Sequence, residues 1–173
     1  MDEAVILSAC RTPVGTLLGD LSTVSAPDLG AVATREAVRR AGIAPETVDE
    51  VIMGTVLPAG MGGIPARQVA LRAGLPPSVS ALTINKMCGS GLKAVMLAAQ
   101  AIRAGDCGVV VAGGIENMSQ APYLVSGGRG GWKLGDQTLV DSMMKDALIC
   151  PIEGCRVGEQ AEHIARTNDV SRA

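Results

Sequence analysis

Short apolar runs alternate with longer segments of helical periodicity along the first two thirds of the chain. The runs predict strands, because each spans four to eight residues and is bounded by turn-forming or charged positions; they occupy 4–9, 48–55, 81–85 and 109–112. The longer segments predict helices that end at a glycine, as helices commonly do; they begin near Asp28, Pro65 and Gly91 and end at Gly42, Gly74 and Gly105. Alternating strands and helices predict an α/β fold with a mainly parallel sheet. The run 4–9 lacks polar alternation, so we expect a central strand buried on both faces.

The pattern changes after Gly114. A glycine-rich loop spans 127–131, and helical periodicity returns at 139–149 and 158–168, without a further predicted strand. We therefore predict a first domain at 1–117 and the incomplete first part of a mostly helical second domain at 118–173. About 55 residues without strands would be a marginal domain alone. The glycine loop does not follow a strand as a phosphate-binding loop does, so we interpret it as a surface loop.

Composition narrows the kind of core and the possible partners. The 173 residues include no Phe, one Tyr, one Trp and 22 Gly, so small aliphatic side chains must fill a closely packed, layered core. The net charge is −2 and no dense basic run occurs, which disfavours nucleic acid. No apolar stretch approaches the roughly 20 residues of a membrane helix. The acidic start lacks a presequence pattern, so we expect a cytoplasmic protein.

Five cysteines accompany a single histidine, His163. Their odd number and the absence of a CxxC pair disfavour a zinc site and a disulfide framework, so we expect no metal. Cys10 and Cys107 lie in or beside apolar segments and are predicted to be small buried hydrophobes. Cys150 and Cys155 flank a loop, where they could be surface thiols or part of a pocket wall.

Cys88 lies where a predicted strand turns into a predicted helix. A thiol at the first turn of a helix faces the positive end of the helix dipole, which favours the thiolate. Gly89 and Gly91 allow an unusual turn and a close approach of substrate to the main chain. Cys88 is therefore a candidate nucleophile for covalent catalysis. His163 lies far along the chain, so the sequence offers this nucleophile no obvious base.

Five segments, in order along the chain, together resemble the thiolase family of acyl-CoA acetyltransferases. They are Ser8–Gly15, Val51–Gly54, Pro65–Gln68, Asn85–Lys93 and Ala112–Ser119. The resemblance is to the N-terminal portion of the biosynthetic type, which condenses two acetyl-CoA to acetoacetyl-CoA and runs the reverse cleavage. It implies a thiolase-like half with one mixed, mainly parallel sheet of βαβαβ type. It also implies a coenzyme A thioester as substrate and no separate cofactor.

The resemblance also implies roles for individual residues. The cysteine that matches Cys88 accepts the acyl group as a thioester. Leu148 matches a residue that lines the coenzyme A site. Cys155-Arg156-Val157-Gly158 stands where the family has Tyr-His-Met-Gly, so Arg156 and Val157 are predicted substrate contacts with an altered acyl-chain preference. The family's histidine and second cysteine belong to C-terminal motifs that this sequence lacks, and His163 is not expected to replace them.

These features support two hypotheses. In the first, this chain is one subunit of a split acetyl-CoA C-acetyltransferase, a hetero-oligomer whose complementary C-terminal thiolase chain carries the catalytic His and Cys. In the second, it is a catalytically inactive or truncated thiolase-like scaffold. Glu116 and Asn117 could be mistaken for an acid/base pair, but we interpret them as residues that fix the turn after the fourth predicted strand and support the surroundings of Cys88.

Overall fold

The computed structural model of the protein describes residues 3–172. Within them the chain divides into two compact units, one up to Gln120 and one from Ala121 onward. The assignment of domains to 1–117 and 118–173 stays a prediction. No helix in the described part of the chain is long and apolar enough to cross a membrane.

The first unit is built on a three-stranded parallel sheet. Its elements, in chain order, are α1 (Ala26–Ala41), β1 (Glu50–Gly54), α2 (Pro65–Ala73), β2 (Ser80–Ile84), α3 (Ser90–Ala104) and β3 (Val110–Gly114). The strand order is β2-β1-β3, so β1 is central; Ile52 pairs with Leu82 on one side and Ala112 on the other. The three helices and the strands β1, β2 and β3 confirm the predicted α/β alternation.

Side chains of the central strand alternate between two helical layers. Val51 and Met53 belong to the core formed with α1 and α2, whereas Ile52 packs with Ala94 and Ala98 of α3. This two-residue alternation is what a strand buried on both faces requires. The sheet is therefore covered by α3 on one face and by α1 and α2 on the other.

Helix α3 turns its small residues towards the sheet and its larger apolar residues outward. Ser90, Ala94 and Ala98 are its buried positions. Leu92 is 68 % exposed, and Val95 and Met96 are also exposed. Small inward-facing residues let the helix axis approach the strands closely. As a result, the larger residues Leu92, Val95 and Met96 form an exposed apolar stripe on the outer face of α3.

The predicted central strand at 4–9 is wrong. The segment forms no strand and pairs with no other strand of the described chain, and Ile6 in its middle is 79 % exposed. It lies along α1 instead, where Ser8 Oγ donates to Ala37 O at 2.7 Å and Cys10 Sγ donates to Ala33 O at 3.0 Å. An apolar run acquires strand structure only when a neighbour pairs with it, and β1 holds the central position that we expected for this run.

The second unit contains a two-stranded antiparallel ribbon and one long helix. The ribbon pairs β4 (Tyr123–Leu124) with β5 (Val140–Asp141), and α4 spans Val157–Thr167. The prediction of a helix at 158–168 is confirmed, but that of a helix at 139–149 is wrong for its first part. Asp141 ends the ribbon and its Oδ1 accepts from Met143 N at 2.9 Å, so helical structure begins only at Ser142 and continues as a π-helical turn at Met144–Leu148.

Gly54 gives a test of the packing between α3 and the sheet. A methyl group at this position would lie 2.5 Å from the carbonyl carbon of Ser90, so Gly54→Ala must displace the first turn of α3. We expect it to lower the free energy of unfolding by about 3 kcal/mol, the upper end of typical overpacking costs. Urea denaturation of the full chain measures this change.

Gly113→Ala is the matched control, because Gly113 lies in the neighbouring strand and its added methyl would meet only the Met53 sulfur at 3.7 Å. We expect its cost to stay below about 1 kcal/mol. Equal losses in the two variants would contradict the close packing of α3 at Gly54.

Candidate active site

Cys88 is exposed on the bend that joins β2 to α3. The strand ends at Ile84 and the helix begins at Ser90, with Gly89 as the residue before it. Met87, directly before the cysteine, has φ of +50°, a left-handed conformation that non-glycine residues rarely adopt. The chain therefore turns at Met87, and Cys88 follows this turn with an exposed thiol.

Two polar side chains hold this bend. Asn85 Oδ1 accepts from Met87 N at 2.9 Å. Ser90 Oγ accepts from Lys86 N at 2.8 Å and donates to Met87 O at 2.6 Å. Both peptide groups that flank Met87 are thus fixed by side chains, which offsets the cost of its left-handed backbone. Sequence reasoning missed both residues, although an Asn and a Ser flanking a Gly-rich turn are common backbone-bonding residues.

The loop after β1 lies beside the bend and is held by Glu116. Its carboxylate accepts from Val56 N at 2.7 Å, Thr55 Oγ1 at 3.0 Å and Leu57 N at 3.3 Å. Asn85 Nδ2 donates to Val56 O at 3.1 Å and so connects this loop to the bend. Glu116 is half-buried and its carboxylate fixes the loop after β1, not the turn after the fourth predicted strand as we expected.

The bend can present a thiol to an electrophile at the start of a helix. The N–H groups of Gly89 and Ser90 are not free to bind a developing oxyanion, because they donate to Lys86 O at 3.1 Å and Met87 O at 3.0 Å. An oxyanion formed at Cys88 is therefore not held by these two N–H groups.

The second unit contains an open groove of about 720 Å³. All three predicted substrate contacts line it: Leu148, Arg156 and Val157. Ile149 and Arg156 form an antiparallel bridge, which brings the end of the π-helical turn beside the start of α4. The groove is thus apolar at Leu148 and Val157 and positively charged at Arg156.

Further groove residues were not predicted from the sequence. They are Met144, Gly158, Glu159, Glu162 and Arg166. Glu159, Glu162 and Arg166 follow one another at helical spacing on α4, a signal that could have indicated a shared face. His163 is exposed on the same helix. Among residues 3–172, no group of His, Cys, Asp or Glu side chains could hold a metal ion.

The loop between Ile149 and Arg156 places its two cysteines opposite each other. Cys150 N donates to Cys155 O at 2.9 Å, and both thiols are free and partly buried. Hydrogen bonds from the backbone N–H groups of Glu153 and Ile152 lower the pKa of the Cys150 thiol. In the first unit, burial raises the pKa of the partly buried Cys107 thiol, with a smaller effect from neighbouring carboxylates.

An exposed thiol on a hydrogen-bonded strand-to-helix bend defines the first unit as a thiol-presenting, layered α/β domain. Its particular family follows from the sequence, which matches the description "Thiolase, N-terminal domain" over residues 4–173. The chain belongs to the thiolase family. This confirms the resemblance carried by the five sequence segments.

The names of individual relatives are consistent with the family assignment. The chain is 54 % identical over 172 residues to an acetyl-CoA acetyltransferase of Cupriavidus necator, covering 99 % of this chain and 44 % of that protein. It is 49 % identical over 173 residues to an acetyl-CoA acetyltransferase of Escherichia coli, with the same two coverages. An acetyl-CoA acetyltransferase of Pseudomonas aeruginosa is also 49 % identical, over 172 residues. The chain thus spans less than half the length of these curated relatives.

The opposite pKa shifts of Cys150 and Cys107 predict different reactivities. The thiolate is the reactive form, so a lowered pKa moves alkylation to lower pH and a raised pKa moves it to higher pH. We expect Cys150 to reach half its maximal alkylation rate by iodoacetamide at a lower pH than Cys107. Tandem mass spectrometry after timed labelling across a pH series measures both rates, because fragmentation separates Cys150 from Cys155 on the tryptic peptide that they share.

Labelling in urea is the control, because unfolding removes both the hydrogen bonds and the burial. The two pH profiles should then converge. Identical profiles in the folded chain, or a lower midpoint for Cys107, would contradict the assignment of the shifts.

Proposed function

We propose that this chain carries the nucleophile of an acetyl-CoA C-acetyltransferase, and that the nucleophile is Cys88. The observation that carries the proposal is the exposed thiol on a bend whose backbone is fixed on both sides by Asn85 and Ser90. The names of the relatives give the substrate class, a coenzyme A thioester. No cofactor is required, because a thiolate attacks a thioester directly.

The reaction has two steps. The Cys88 thiolate attacks the carbonyl carbon of acetyl-CoA, the carbon–sulfur bond to coenzyme A breaks, and coenzyme A leaves as a thiol after taking up a proton. A second acetyl-CoA then loses a proton from its α-carbon, and that carbon attacks the acetyl-Cys88 thioester. The product is acetoacetyl-CoA, and Cys88 is released as a thiolate. Thiolysis of acetoacetyl-CoA reverses both steps.

The groove of the second unit is proposed to bind the coenzyme A portion. Leu148 and Val157 offer apolar contacts to the pantetheine, whereas Arg156 and Arg166 offer positive charge to phosphate groups. Arg156 in place of the family's His is expected to change acyl-chain preference.

The second step needs an acid and a base, and among the described residues the bend of Cys88 carries neither a histidine nor a second cysteine. We propose that a complementary thiolase chain provides the catalytic His and Cys in a hetero-oligomer. The exposed apolar stripe of α3, formed by Leu92, Val95 and Met96, supports a protein partner, because monomers rarely expose contiguous apolar surface. The five free cysteines are compatible with the reducing cytoplasm, where we place the assembly.

Acetylation of Cys88 tests the proposed nucleophile. We expect isotopically labelled acetyl-CoA to acetylate Cys88 of the chain in the presence of its complementary chain, and Cys88→Ala to abolish the label. Peptide mass spectrometry locates the acetyl group. Cys107→Ala is the matched control and should be labelled as the parent is, since Cys107 lies at the opposite end of the sheet, before β3. An unlabelled Cys88 in the assembled complex would refute the proposal and favour an inactive scaffold.

The outer stripe of α3 tests the proposed partner. Leu92→Lys changes a side chain that is 68 % exposed, so we expect the isolated chain to keep its stability while binding to the complementary chain weakens at least tenfold, as for a charge placed in an apolar interface. Analytical ultracentrifugation of the two chains together measures the affinity. A lone monomeric chain that turns over acetyl-CoA would show the split arrangement to be wrong.

A further inference from the structure

Glu116 is a half-buried carboxylate whose hydrogen bonds all go to the loop after β1. None of the ion pairs among the described residues includes it, so its charge is satisfied by Thr55 Oγ1 and by the N–H groups of Val56 and Leu57. Thr55 is only 2 % exposed. A carboxylate that binds only neutral donors orders the backbone around it, and this loop lies beside the bend of Cys88.

A continuous chain of hydrogen bonds leads from Glu116 to the residue before Cys88. The peptide group between Val56 and Leu57 donates its N–H to Glu116 Oε1 at 3.3 Å and accepts Asn85 Nδ2 on its C=O at 3.1 Å. The amide group of Asn85 in turn accepts Met87 N on Oδ1 at 2.9 Å. Each amide donates at one end and accepts at the other, so the bonds polarise one another and strengthen together.

This series of hydrogen bonds ends at Met87, the strained residue of the bend. Met87 has φ of +50°, a conformation that is unfavourable for a residue with a side chain and persists only when surrounding contacts enforce it. The Ser90 hydroxyl donates to the carbonyl oxygen of Met87, whereas the N–H of Met87 donates to Asn85. If the Asn85 contact weakens, Met87 can relax toward an ordinary backbone conformation, and the direction of Cys88 changes with it.

We propose that Glu116 and Asn85 are positioning residues for Cys88, acting through the Val56–Leu57 peptide group to keep Met87 left-handed. The role of Cys88 as the acylated residue rests on the proposed function above. The positioning itself is a property of the bend and can be measured without acyl transfer. Neither residue touches the reacting atoms.

We call the hydrogen-bonded series from Glu116 through the Val56–Leu57 peptide group and Asn85 to Met87 the relay. Glu116→Gln and Asn85→Ala test it, with Asp49→Asn as the matched control. Asp49 also binds two backbone N–H groups, those of Gly108 at 2.7 Å and Val109 at 2.9 Å, but at the opposite end of the same sheet. The control therefore loses comparable backbone contacts without touching the relay. Chemical denaturation of all the variants reports their general loss of stability.

Two readouts are made on the full chain in its complex. Hydrogen exchange of the Met87 amide should accelerate at least tenfold in Glu116→Gln and Asn85→Ala, and not in Asp49→Asn. Single-turnover acetylation of Cys88 should lose about tenfold or more in maximal rate, as expected for a misplaced reacting group, while the half-saturating acetyl-CoA concentration stays unchanged. A purely structural role would instead change all three variants in proportion to their stability.

Asn85→Asp is the second variant, for the case that Glu116→Gln or Asn85→Ala does not fold. It keeps an oxygen acceptor for Met87 N but loses the donor to Val56 O, so we expect an intermediate effect. Unchanged exchange at Met87, or unchanged acetylation despite faster exchange, would overturn the proposal. Faster exchange in a protein whose parent never acetylates would uphold the positioning and refute the proposed acyl transfer instead.

Discussion

The contact between Gly54 and Ser90 is the constraint on which the rest of the first unit depends. The absence of a side chain at Gly54 lets the first turn of α3 lie directly against the end of β1. Ser90 is buried there, and from this position its hydroxyl reaches both Lys86 N and Met87 O. The helix could not start so close to the sheet with a larger residue in either place, and the bend of Cys88 would then lack one of its two supports.

The parallel sheet brings the other support to the same place. Strands that run in one direction end at one edge, so the residues that follow them become neighbours although they are far apart in sequence. Thr55 follows β1, Asn85 follows β2 and Glu116 follows β3 closely. Their hydrogen bonds join the three chain segments around the bend, which explains why the candidate nucleophile lies at this edge and not at the edge where Asp49 is found.

Local patterns were enough to predict much of this arrangement. Periodicity and terminal glycines predicted α1, α2, α3 and the three strands, and the Cys-Gly-Ser-Gly sequence predicted the bend. They could not show which face of α3 turns inward, because burial depends on how closely the sheet can be approached, and that favours Ala94 and Ala98 over Leu92. They also could not show that 4–9 stays unpaired, since pairing depends on neighbours rather than on the run itself. The Glu116 relay joins residues that sequence order separates.

The two steps of the proposed reaction need different groups. Acylation needs a presented thiol, which the bend provides with its own hydrogen bonds. Condensation additionally needs a group that removes a proton from a carbon acid, and general bases for this purpose are held within hydrogen-bond reach of that proton. The only histidine of the sequence, His163, is exposed on α4. Among the described residues, its backbone oxygen accepts a hydrogen bond from Thr167, but no side-chain hydrogen bond orients its ring. Leu92, Val95 and Met96 of α3 are exposed on the same unit as Cys88, and this apolar stripe is the surface to which we assign the proposed partner.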